Sequence, residues 1–491
     1  MNHGLPFPYR GLLGLYLDEP STDDTAIAIS VEGIEITHAR LDRLSTELSE
    51  TIMESGCSTE GGFFPVAVGM GRSAEQVISL IAIWKLNAVY VPVNLDRDIR
   101  SLPSYLKSTG IRVLICHKAE LEEALHTLGD CLQWVICFYS AHKWELIRIS
   151  KSIGHSYRDN DIADAKTGYL VRTSGSTGSP KTVYGSVSSL DHFITWQAGR
   201  FTDHDKVNTG WLTEPTFDAS FRDLLLPLVK GGTISIPPGH VRELPSALVQ
   251  WIDREEISHL HLVPSVFRII LSEIEDGSKG ISLFKKLKYV FLSGEAMQPS
   301  DVNRWYDIFG RRSILVNFYG STETTLIRTY HEFLTKIPTD QSSVPAGRAL
   351  PDTVISISHD QPNYIPGQAG QVIVHTSYPT FGYLDGGRID EPWTKSSEQA
   401  DMIAYTSGDI GYLDNAGNLY IEGRSDDQIK IRGVRIDLKG IEWAAYRIAS
   451  IKNAKVIVDD SREQLCLFFT ASANIDTEAG KREMSQFLPD S

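Results

Sequence analysis

The sequence predicts an α/β protein built on largely parallel β-sheets that helices cover on both faces. Two observations lead to this fold class. Short apolar runs rich in β-branched and aromatic residues alternate with helical patterns through most of the chain. From about Val354 this alternation gives way to hairpin-rich β structure. A chain of 491 residues is also too long for a single hydrophobic core, so we expect two or more domains.

The elements can be assigned in chain order. The segment AIAISVEGIEIT predicts a hairpin that turns at Glu32 and Gly33, and HARLDRLSTELSETIME after it has the periodicity of a helix. Further runs predict strands, namely FFPVAVGM, AVYVPV, RVLICH, WVICFY, TISIP, LHLVP, KYVFLSG and ILVNFYG. A second hairpin is predicted in GYLDNAGNLYIEG, with its turn from Asn415 to Asn418.

A domain boundary is expected within GRSDDQIKIRGVRID, near Arg424 to Asp427. The segment places charged residues directly after a glycine, a composition typical of a hinge between domains. We therefore expect a large domain over residues 1–424 and a small domain over residues 425–491.

Charge and composition argue against several classes of partner. The 47 Lys and Arg residues are outnumbered by 62 Asp and Glu residues, and the resulting formal charge of −15 argues against nucleic acid or an anionic membrane as the main partner. The longest apolar run, VISLIAIW, is too short to span a bilayer. Five widely spaced cysteines imply neither a disulfide framework nor a zinc site, which fits a reducing cytoplasm. A monomer is the default expectation.

The stretch RTSGSTGSPKT, from Arg172 to Thr182, has the composition of a phosphate-binding loop. Its glycines let the backbone approach a ligand closely and point N–H groups at it, and its hydroxyls add further donors. The spacing differs from GxxxxGK[ST], because Lys181 follows Pro180 rather than a glycine. Taken alone, the stretch is equally consistent with a solvated Ser/Gly turn.

Other motifs of the chain occur in a fixed order around this loop. ITHARLDRLS and WKLNAVYVPVN precede it, and FDASFRDLLLPLVKGG, NFYGSTETT, YTSGDIGYL and GRSDDQIKIRGVRID follow it. In this order they resemble the motifs of the adenylate-forming superfamily of acyl-activating, AMP-binding enzymes, and within it the amino-acid adenylation domains of nonribosomal peptide synthetases. A collinear set that covers nearly the whole chain is far more specific than any one motif.

The resemblance implies a particular version of the α/β fold. It has a large N-terminal domain of stacked mixed sheets covered by helices, together with a β-rich subdomain. A small, mobile α+β C-terminal domain follows, with Asp426 as the hinge. The family's final lysine-bearing motif has no counterpart in this sequence, which ends in QFLPDS, so we expect a truncated C-terminal domain.

The reaction implied by the resemblance is the attack of a carboxylic acid on the α-phosphate of ATP, with Mg²⁺ as cofactor. In such a reaction the protein positions the partners and neutralises charge. Lys181, Glu323 and Thr177 would be catalytic, and Glu323 and Thr177 would hold the Mg²⁺. The residues expected to bind ATP are Thr173, Ser174, Gly175, Ser176, Thr177, Gly178, Lys181, Gly294, Asn317, Phe318, Tyr319, Gly320, Ser321, Thr322, Asp409 and Arg424.

Three of these residues have more specific expected roles. Tyr319 would stack on the adenine ring, although a buried core tyrosine is the alternative. Asp409 would accept hydrogen bonds from the ribose hydroxyls. Arg424 would contact the ribose or the α-phosphate.

The substrate is expected to be an amino acid because Asp218, in FDAS, stands where relatives pair an aspartate with the α-ammonium. The alternative is an aspartate that caps the following helix. The expected side-chain pocket consists of Ala219, Arg222, His261, Phe291, Ser293, Phe318, Leu326 and Ile327. If Arg222 and His261 face inward, they suit an acidic or polar side chain. Alternatively, Arg222 turns outward to Asp223 or Glu243, and His261 is a packed strand residue.

The resemblance also implies a second step, in which the phosphopantetheine thiol of a partner carrier protein takes the acyl group. Two other functions stay open at this point. One is a carboxylate–CoA ligase of the same superfamily. The other is a catalytically weakened, adenylation-like partner protein.

Overall fold

The computed structural model describes residues 11–18, 24–56, 63–149, 167–173, 180–202, 206–276, 283–341, 343–358, 367–397, 399, 401–425, 428–431, 434–438, 441–442, 445, 448, 451–459 and 464–471. The helices are α1 (Leu12–Asp18), α2 (His38–Glu54), α3 (Ala74–Lys85), α4 (Leu95–Asp98), α5 (Leu102–Thr109), α6 (Leu121–Leu128), α7 (Val187–Phe201), α8 (Ser220–Val229), α9 (Gly239–Glu243), α10 (Pro245–Arg254), α11 (Pro264–Asp276) and α12 (Pro299–Phe309). Short 3₁₀ turns cover Gly129–Cys131 and Thr322–Thr324.

The strands of the first half are β1 (Ile27–Val31), β2 (Ile34–Thr37), β3 (Pro65–Gly69), β4 (Val89–Pro92), β5 (Val113–His117), β6 (Trp134–Ser140), β7 (Lys143–Arg148), β8 (Gly168–Thr173), β9 (Lys181–Ser186), β10 (Asn208–Gly210) and β11 (Thr233–Ile236). Those of the second half are β12 (His259–Leu262), β13 (Tyr289–Leu292), β14 (Ile314–Tyr319), β15 (Thr329–Phe333), β16 (Arg348–Ala349), β17 (Thr353–Ser358), β18 (Gly370–Thr376), β19 (Gly382–Asp385), β20 (Arg388–Asp390), β21 (Thr394–Lys395), β22 (Ile403–Leu413), β23 (Leu419–Arg424), β24 (Gln428–Ile431), β25 (Val434–Asp437), β26 (Ile451–Asp459) and β27 (Gln464–Ala471).

These strands form two large mixed sheets and smaller antiparallel ones. Sheet I has the order β20-β19-β9-β8-β4-β3-β5-β6-β7, and sheet II has the order β16-β15-β14-β13-β12-β10-β11-β1-β2. Their central strands are parallel, whereas their edge strands pair antiparallel. Sheet III, with the order β17-β18-β22-β21 and β23 on β22, is antiparallel throughout. The strands β24 and β25, and likewise β26 and β27, form hairpins.

The main hydrophobic core joins sheets I and II. One buried cluster contains Val68 of β3 and Ile234 of β11 together with side chains of α2, α3, α7 and α8. A second cluster packs α10, α11 and α12 on sheet II, and a third packs α5 and α6 on sheet I. Helices therefore cover both large sheets, as parallel strands require, because their side chains on both faces are apolar.

Local sequence signals explain how several elements begin and turn. Thr37 and Ser73 cap α2 and α3, with their hydroxyls accepting from backbone N–H groups in the first turn. The β1–β2 hairpin turns at Glu32 and Gly33, which both have positive φ, as a two-residue hairpin turn requires.

The structure confirms the predicted fold class and most of its elements. Each apolar run predicted to be a strand contains one, and sheet III begins at Thr353, close to the predicted change at Val354. The turn predicted at Asn415 to Asn418 joins β22 to β23. The boundary between residues 424 and 425 stays a prediction. Within the described ranges, no helix is long and apolar enough to cross a bilayer.

Glycine substitutions test how closely β8 and β9 pack. Gly185 on β9 lies opposite the fully buried Tyr169 of β8, and a Cβ at this position would come within 1.9 Å of the Tyr169 ring. We expect Gly185→Ala to lower the free energy of unfolding by about 1–3 kcal/mol or more through overpacking. A Cβ at Gly199 in α7 would meet no atom within 4 Å, so Gly199→Ala should raise the free energy of unfolding by about 0.5–1 kcal/mol. Urea denaturation measures both, and equal shifts of the two variants would contradict the described packing.

Candidate active site

A cavity of about 460 Å³ opens where strands of both large sheets end. Its wall includes Thr173 at the end of β8, His261 on β12, Ser293 just after β13 and Gly320 just after β14. In open α/β sheets, ligands bind outside the carboxyl ends of the strands, where the connecting loops converge. This cavity is therefore the candidate active site.

One side of the site carries the two ends of the predicted phosphate loop. Thr173 lines the cavity and is the register partner of Lys181 across the β8–β9 pair. The Lys181 Nζ atom lies 4.5 Å from the ring centroid of Tyr383 on β19. The predicted phosphate-binding residues between them lie outside the described residues, namely Ser174, Gly175, Ser176, Thr177 and Gly178. Phosphate binding by this loop stays a prediction.

Glu323 is fixed beside the same tyrosine. It lies in the 3₁₀ turn after β14 with 1% of its surface exposed, and the Tyr383 hydroxyl donates to its Oε1 at 2.8 Å. The Thr380 hydroxyl donates to the Glu323 backbone carbonyl at 2.9 Å. Tyr383 therefore contacts both the predicted catalytic lysine and the predicted metal carboxylate.

The donor chemistry around Glu323 fits a magnesium–phosphate complex. Mg²⁺ prefers hard oxygen ligands and usually takes only one or two carboxylates from the protein, because phosphate oxygens and water complete its octahedron. Within the described part of the chain, no cluster of three or more His, Cys, Asp or Glu side chains could hold a metal by itself. A lone carboxylate such as Glu323 matches that mode, and its role with Mg²⁺ stays a prediction.

The described nucleotide residues divide into two groups. Those that line the cavity are Thr173, Gly294, Gly320, Ser321, Thr322, Asp409 and Arg424. Lys181, Asn317, Phe318 and Tyr319 are not among its described lining residues, and neither is Glu323. The Asn317 amide donates to the Pro345 carbonyl at 2.9 Å, and Phe318 is buried among aromatic rings.

Asp409 is held by two of the predicted nucleotide residues. Arg424 Nη1 donates to Asp409 Oδ1 and the Tyr319 hydroxyl donates to Asp409 Oδ2, both at 2.6 Å. Burial, followed by the charge of Asp409, raises the pKa of Tyr319 well above its ordinary value. The carboxylate is thus oriented at the cavity wall, while the ribose and adenine contacts stay predictions. Asp426 lies outside the described residues.

Asp218 stands at the cavity wall in the connection between β10 and α8. Its Oδ2 is buried and has no hydrogen-bond partner among the described residues. Burial raises the pKa of this carboxyl, against the opposing effects of the Thr322 hydroxyl and the Arg222 charge. The following helix begins at Ser220 with Ala219 as N-cap and no side-chain cap, so Asp218 does not serve as the helix cap.

Arg222 turns inward. It lines the cavity and is only 3% exposed, with Nη1 donating to the Ser293 hydroxyl at 2.7 Å and Nε donating to the Ala219 carbonyl at 3.2 Å. No described residue accepts from Nη2. Burial lowers the pKa of Arg222, and the charges of Asp223 and Asp218 oppose this shift. The alternative of an outward arginine is wrong.

His261 combines the two roles that the sequence left open, since it is a packed strand residue that also lines the cavity. The Gln197 amide nitrogen lies 2.8 Å from His261 Nε2. On the other side of the ring, Nδ1 lies 2.9 Å from Asp223 Oδ1, so the imidazole is held between an amide and a carboxylate. Burial lowers the pKa of His261, which favours the neutral imidazole, although Asp223 opposes the shift.

The remaining pocket residues also divide. Ala219, Leu326 and Ile327 line the cavity. Phe291 and Phe318 do not belong to the described cavity wall, because their rings stack on each other in the main core with centroids 5.0 Å apart. Their predicted place in the substrate pocket is therefore corrected to a place in the core.

Sequence reasoning missed Tyr383, Gln197 and Asp223. Tyr383 lies about 200 residues after Lys181 in FGYLDG, a stretch with no motif of its own. Gln197 is one polar residue within a helix, so only its contact with His261 identifies it. Asp223 was considered only as a surface partner of Arg222. No local signal could have identified these residues, because each depends on a contact between distant elements.

Comparison with known proteins identifies the family of the chain. A model of the AMP-binding enzyme family matches residues 18–384. Zwittermicin A synthase ZmaJ of Bacillus cereus is 26% identical over 475 residues, which cover 95% of this chain and 87% of that protein. Surfactin synthase subunit 2 of Bacillus subtilis is 25% identical over 94% of this chain, but the match spans only 13% of that synthase.

Solved structures share the fold. The Vibrio cholerae adenylation domain AlmE, in complex with glycyl-adenosine-5'-phosphate, has a TM-score of 0.81 at 21% identity, covering 99% of this chain and 93% of AlmE. An artificially fused adenylation–PCP di-domain from Klebsiella oxytoca, NpsA-ThdA, has a TM-score of 0.77 at 21% identity, with coverage of 99% and 93%. Since the family model matches well over half of the chain, the chain belongs to the AMP-binding enzyme family of AMP-forming ligases and is homologous to nonribosomal peptide synthetase adenylation domains.

Proposed function

We propose that the chain activates an amino acid with ATP and then transfers it to a carrier-protein thiol. In the first step a carboxylate oxygen of the amino acid attacks the α-phosphorus, and the bond to the bridging oxygen of pyrophosphate breaks. In the second step the phosphopantetheine thiol loses its proton and its sulfur attacks the acyl carbon, with AMP as leaving group. Mg²⁺ bound near Glu323 would offset phosphate charge.

The observation that carries the proposal is the buried Oδ2 atom of Asp218, which has no hydrogen-bond partner among the described residues. A buried carboxylate oxygen without a hydrogen-bond donor is costly, and its raised pKa reflects this cost. The α-ammonium of an amino acid would supply both the donor and the opposite charge. An acid without an amine would leave the cost in place, so Asp218 favours amino acids over aryl and fatty acids.

The side-chain end of the pocket supports a polar or acidic amino acid. Arg222 holds two of its donor groups within the protein and leaves Nη2 for a ligand, while His261 and Ser293 add polar groups to the same wall. A guanidinium is the natural partner of a carboxylate or another strong acceptor. Glutamate, aspartate and substituted serine are the substrates that this set suits.

The acceptor is proposed from chemistry and homology together. An acyl-adenylate needs a nucleophile, and NpsA-ThdA and PA1221 are described as adenylation proteins joined to a PCP. A separate carrier protein would supply the thiol. Coenzyme A carries the same thiol arm and is the alternative acceptor, as for a carboxylate–CoA ligase.

A chain that has lost catalysis is the third possibility, and pyrophosphate exchange separates it from both enzymes.

A substrate panel in ATP–pyrophosphate exchange tests the first step. We expect exchange with amino acids and none with matched acids that lack the α-amine. Asp218→Asn should lower kcat/KM by roughly 150- to 5,000-fold, because breaking a buried charge pair costs roughly 3–5 kcal/mol. Asp96→Asn, at an exposed aspartate of α4, is the matched control and should behave as wild type.

The outcomes of this panel separate the three functions. Equal exchange with amine-free acids, together with direct formation of acyl-CoA, would favour the CoA ligase. No exchange with any acid would favour the non-enzymatic partner.

The polar pocket predicts a ranking within the same panel. Glu, Asp and Ser should exchange better than Phe and Leu. Arg222→Met should lower kcat/KM for the best polar substrate by roughly 10- to 150-fold, the value of one hydrogen bond to a charged group. The same variant should change exchange with alanine little, and a uniform loss across all substrates would contradict a specificity role.

Asp218 should also lower the stability of the substrate-free protein. Folding raises the pKa of this carboxyl, so the folded state holds the proton more tightly than the unfolded state does. The free energy of unfolding therefore falls as the pH rises from the pKa of the unfolded state, about 3.9, toward the higher pKa of the folded state. At pH 7–8 we expect Asp218→Asn to raise the melting temperature, corresponding to roughly 1–3 kcal/mol. The increase in melting temperature of Asp218→Asn should become smaller below about pH 4, whereas Asp96→Asn should show no increase at any pH. A lower melting temperature for Asp218→Asn would contradict a costly carboxylate.

A further inference from the structure

Arg328 is a buried cation without a carboxylate partner. It immediately precedes β15 and has 0% of its surface exposed. Its guanidinium pairs with no carboxylate of a described residue, and its Nη1 is buried without a hydrogen-bond partner among those residues. Burial lowers its pKa to about 9. A buried charge without a carboxylate partner lowers the free energy of unfolding, so stabilising the fold does not explain why an arginine lies here.

Those contacts are two backbone carbonyls that flank the candidate active site. Arg328 Nε donates to the Thr324 carbonyl at 2.5 Å, and Nη2 donates to the Tyr378 carbonyl. Thr324 follows Glu323 directly in the 3₁₀ turn. Tyr378 lies two residues before Thr380, whose hydroxyl donates to the Glu323 carbonyl. Arg328 thus links the turn that carries Glu323 to the segment that holds Glu323 from the other side.

The backbone between Glu323 and Arg328 is strained. Thr325 and Leu326 are consecutive non-glycine residues with φ of 63° and 65°. Left-handed backbone costs roughly 1–2 kcal/mol for each such residue, and a β-branched threonine is rare there. The bend is also tight, since a Cβ on Gly320 would come within 2.2 Å of the Leu326 carbonyl oxygen. Such a conformation persists only where the surroundings hold it.

The bend places substrate-pocket residues next to the catalytic turn. Leu326 and Ile327 line the cavity, and Thr322 lines it from the other end of the same bend. If the bend relaxed, the Glu323 carboxylate and the pocket wall would move together. A single contact that holds the bend can therefore fix the position of the Glu323 carboxylate and that of the pocket wall.

We propose that Arg328 is a positioning residue, which clamps the left-handed bend at residues 325 and 326 and thereby holds Glu323 beside the cavity and Leu326 and Ile327 on its wall. The proposal rests on the proposed function only for the role of Glu323 toward Mg²⁺. Arg328 is fully buried and is not among the described lining residues, so it acts through its contacts with the backbone.

Amide hydrogen exchange of the ligand-free protein tests the clamp directly. We expect Arg328→Met to raise the exchange of amides in residues 320–328 at least tenfold. Arg268→Met is the matched control. Arg268 Nη2 forms an ion pair with Asp301 Oδ2 at a distance of 3.0 Å, and neither residue is among the described residues of the cavity wall. This control should leave those amides unchanged. Equal protection in wild type and Arg328→Met would overturn the proposal.

Magnesium-dependent ATP binding, measured by calorimetry, tests the consequence. Arg328→Met should raise the Mg²⁺ concentration for half-maximal ATP binding about tenfold, and Arg328→Lys should fall between it and wild type because one ammonium cannot span both carbonyls. Adding Thr325→Gly to Arg328→Met should restore part of the loss by removing strain. An unchanged Mg²⁺ requirement would overturn the proposal.

The two levels of the proposal fail separately. A wild type without Mg²⁺-dependent ATP binding would refute the proposed function, while hydrogen exchange would still decide whether Arg328 holds the bend. If Arg328→Met does not fold, Arg328→Lys is compared with wild type instead, and unchanged exchange of residues 320–328 in Arg328→Lys would overturn the clamp.

Discussion

The hydrogen bond from Tyr383 to Glu323 connects the two large sheets at the point where the candidate active site opens. Tyr383 belongs to β19 of sheet I, and Glu323 follows β14 of sheet II. Lys181, on β9 next to β19, places its Nζ over the ring of Tyr383. The main hydrophobic core also joins the two sheets, and this contact adds to it by bringing the predicted catalytic lysine and the predicted metal carboxylate to one tyrosine.

Three charged groups near the candidate active site are removed from water. Arg222 and Arg328 are buried, and Asp218 has a buried Oδ2 atom. Burial raises the pKa of Asp218 and lowers the pKa of the two arginines, and so favours the neutral form of each. Charges in such places reduce stability, and they are retained where they orient a ligand or a backbone segment. Asp218 and Arg222 border the cavity itself, whereas Arg328 lies behind the bend that forms part of its wall.

The fold was predictable because its signals are local. The alternation of apolar runs with helical patterns reflects side-chain periodicity, and turns such as that at Glu32 and Gly33 need particular backbone angles. Part of the site was predictable only through the resemblance of short motifs to those of the family, and Asp218, Arg222 and Ser293, which that resemblance implied, line the cavity. Phe291 and Phe318 show the limit, because strand residues a few positions apart face either cavity or core depending on the sheet's neighbours.

The sequence by itself determined the α/β class, the succession of strands and the identity of the motif residues, because each of these depends on neighbours along the chain. Only the tertiary structure decided that Arg222 turns inward, that His261 lies between Gln197 and Asp223 and that Tyr383 joins Lys181 to Glu323. The reason is physical, since burial, hydrogen bonding and charge are properties of contacts between residues that lie far apart in sequence. The strained bend behind Glu323 belongs to the same class, because its φ values at Thr325 and Leu326 depend on a distant carbonyl bound by Arg328.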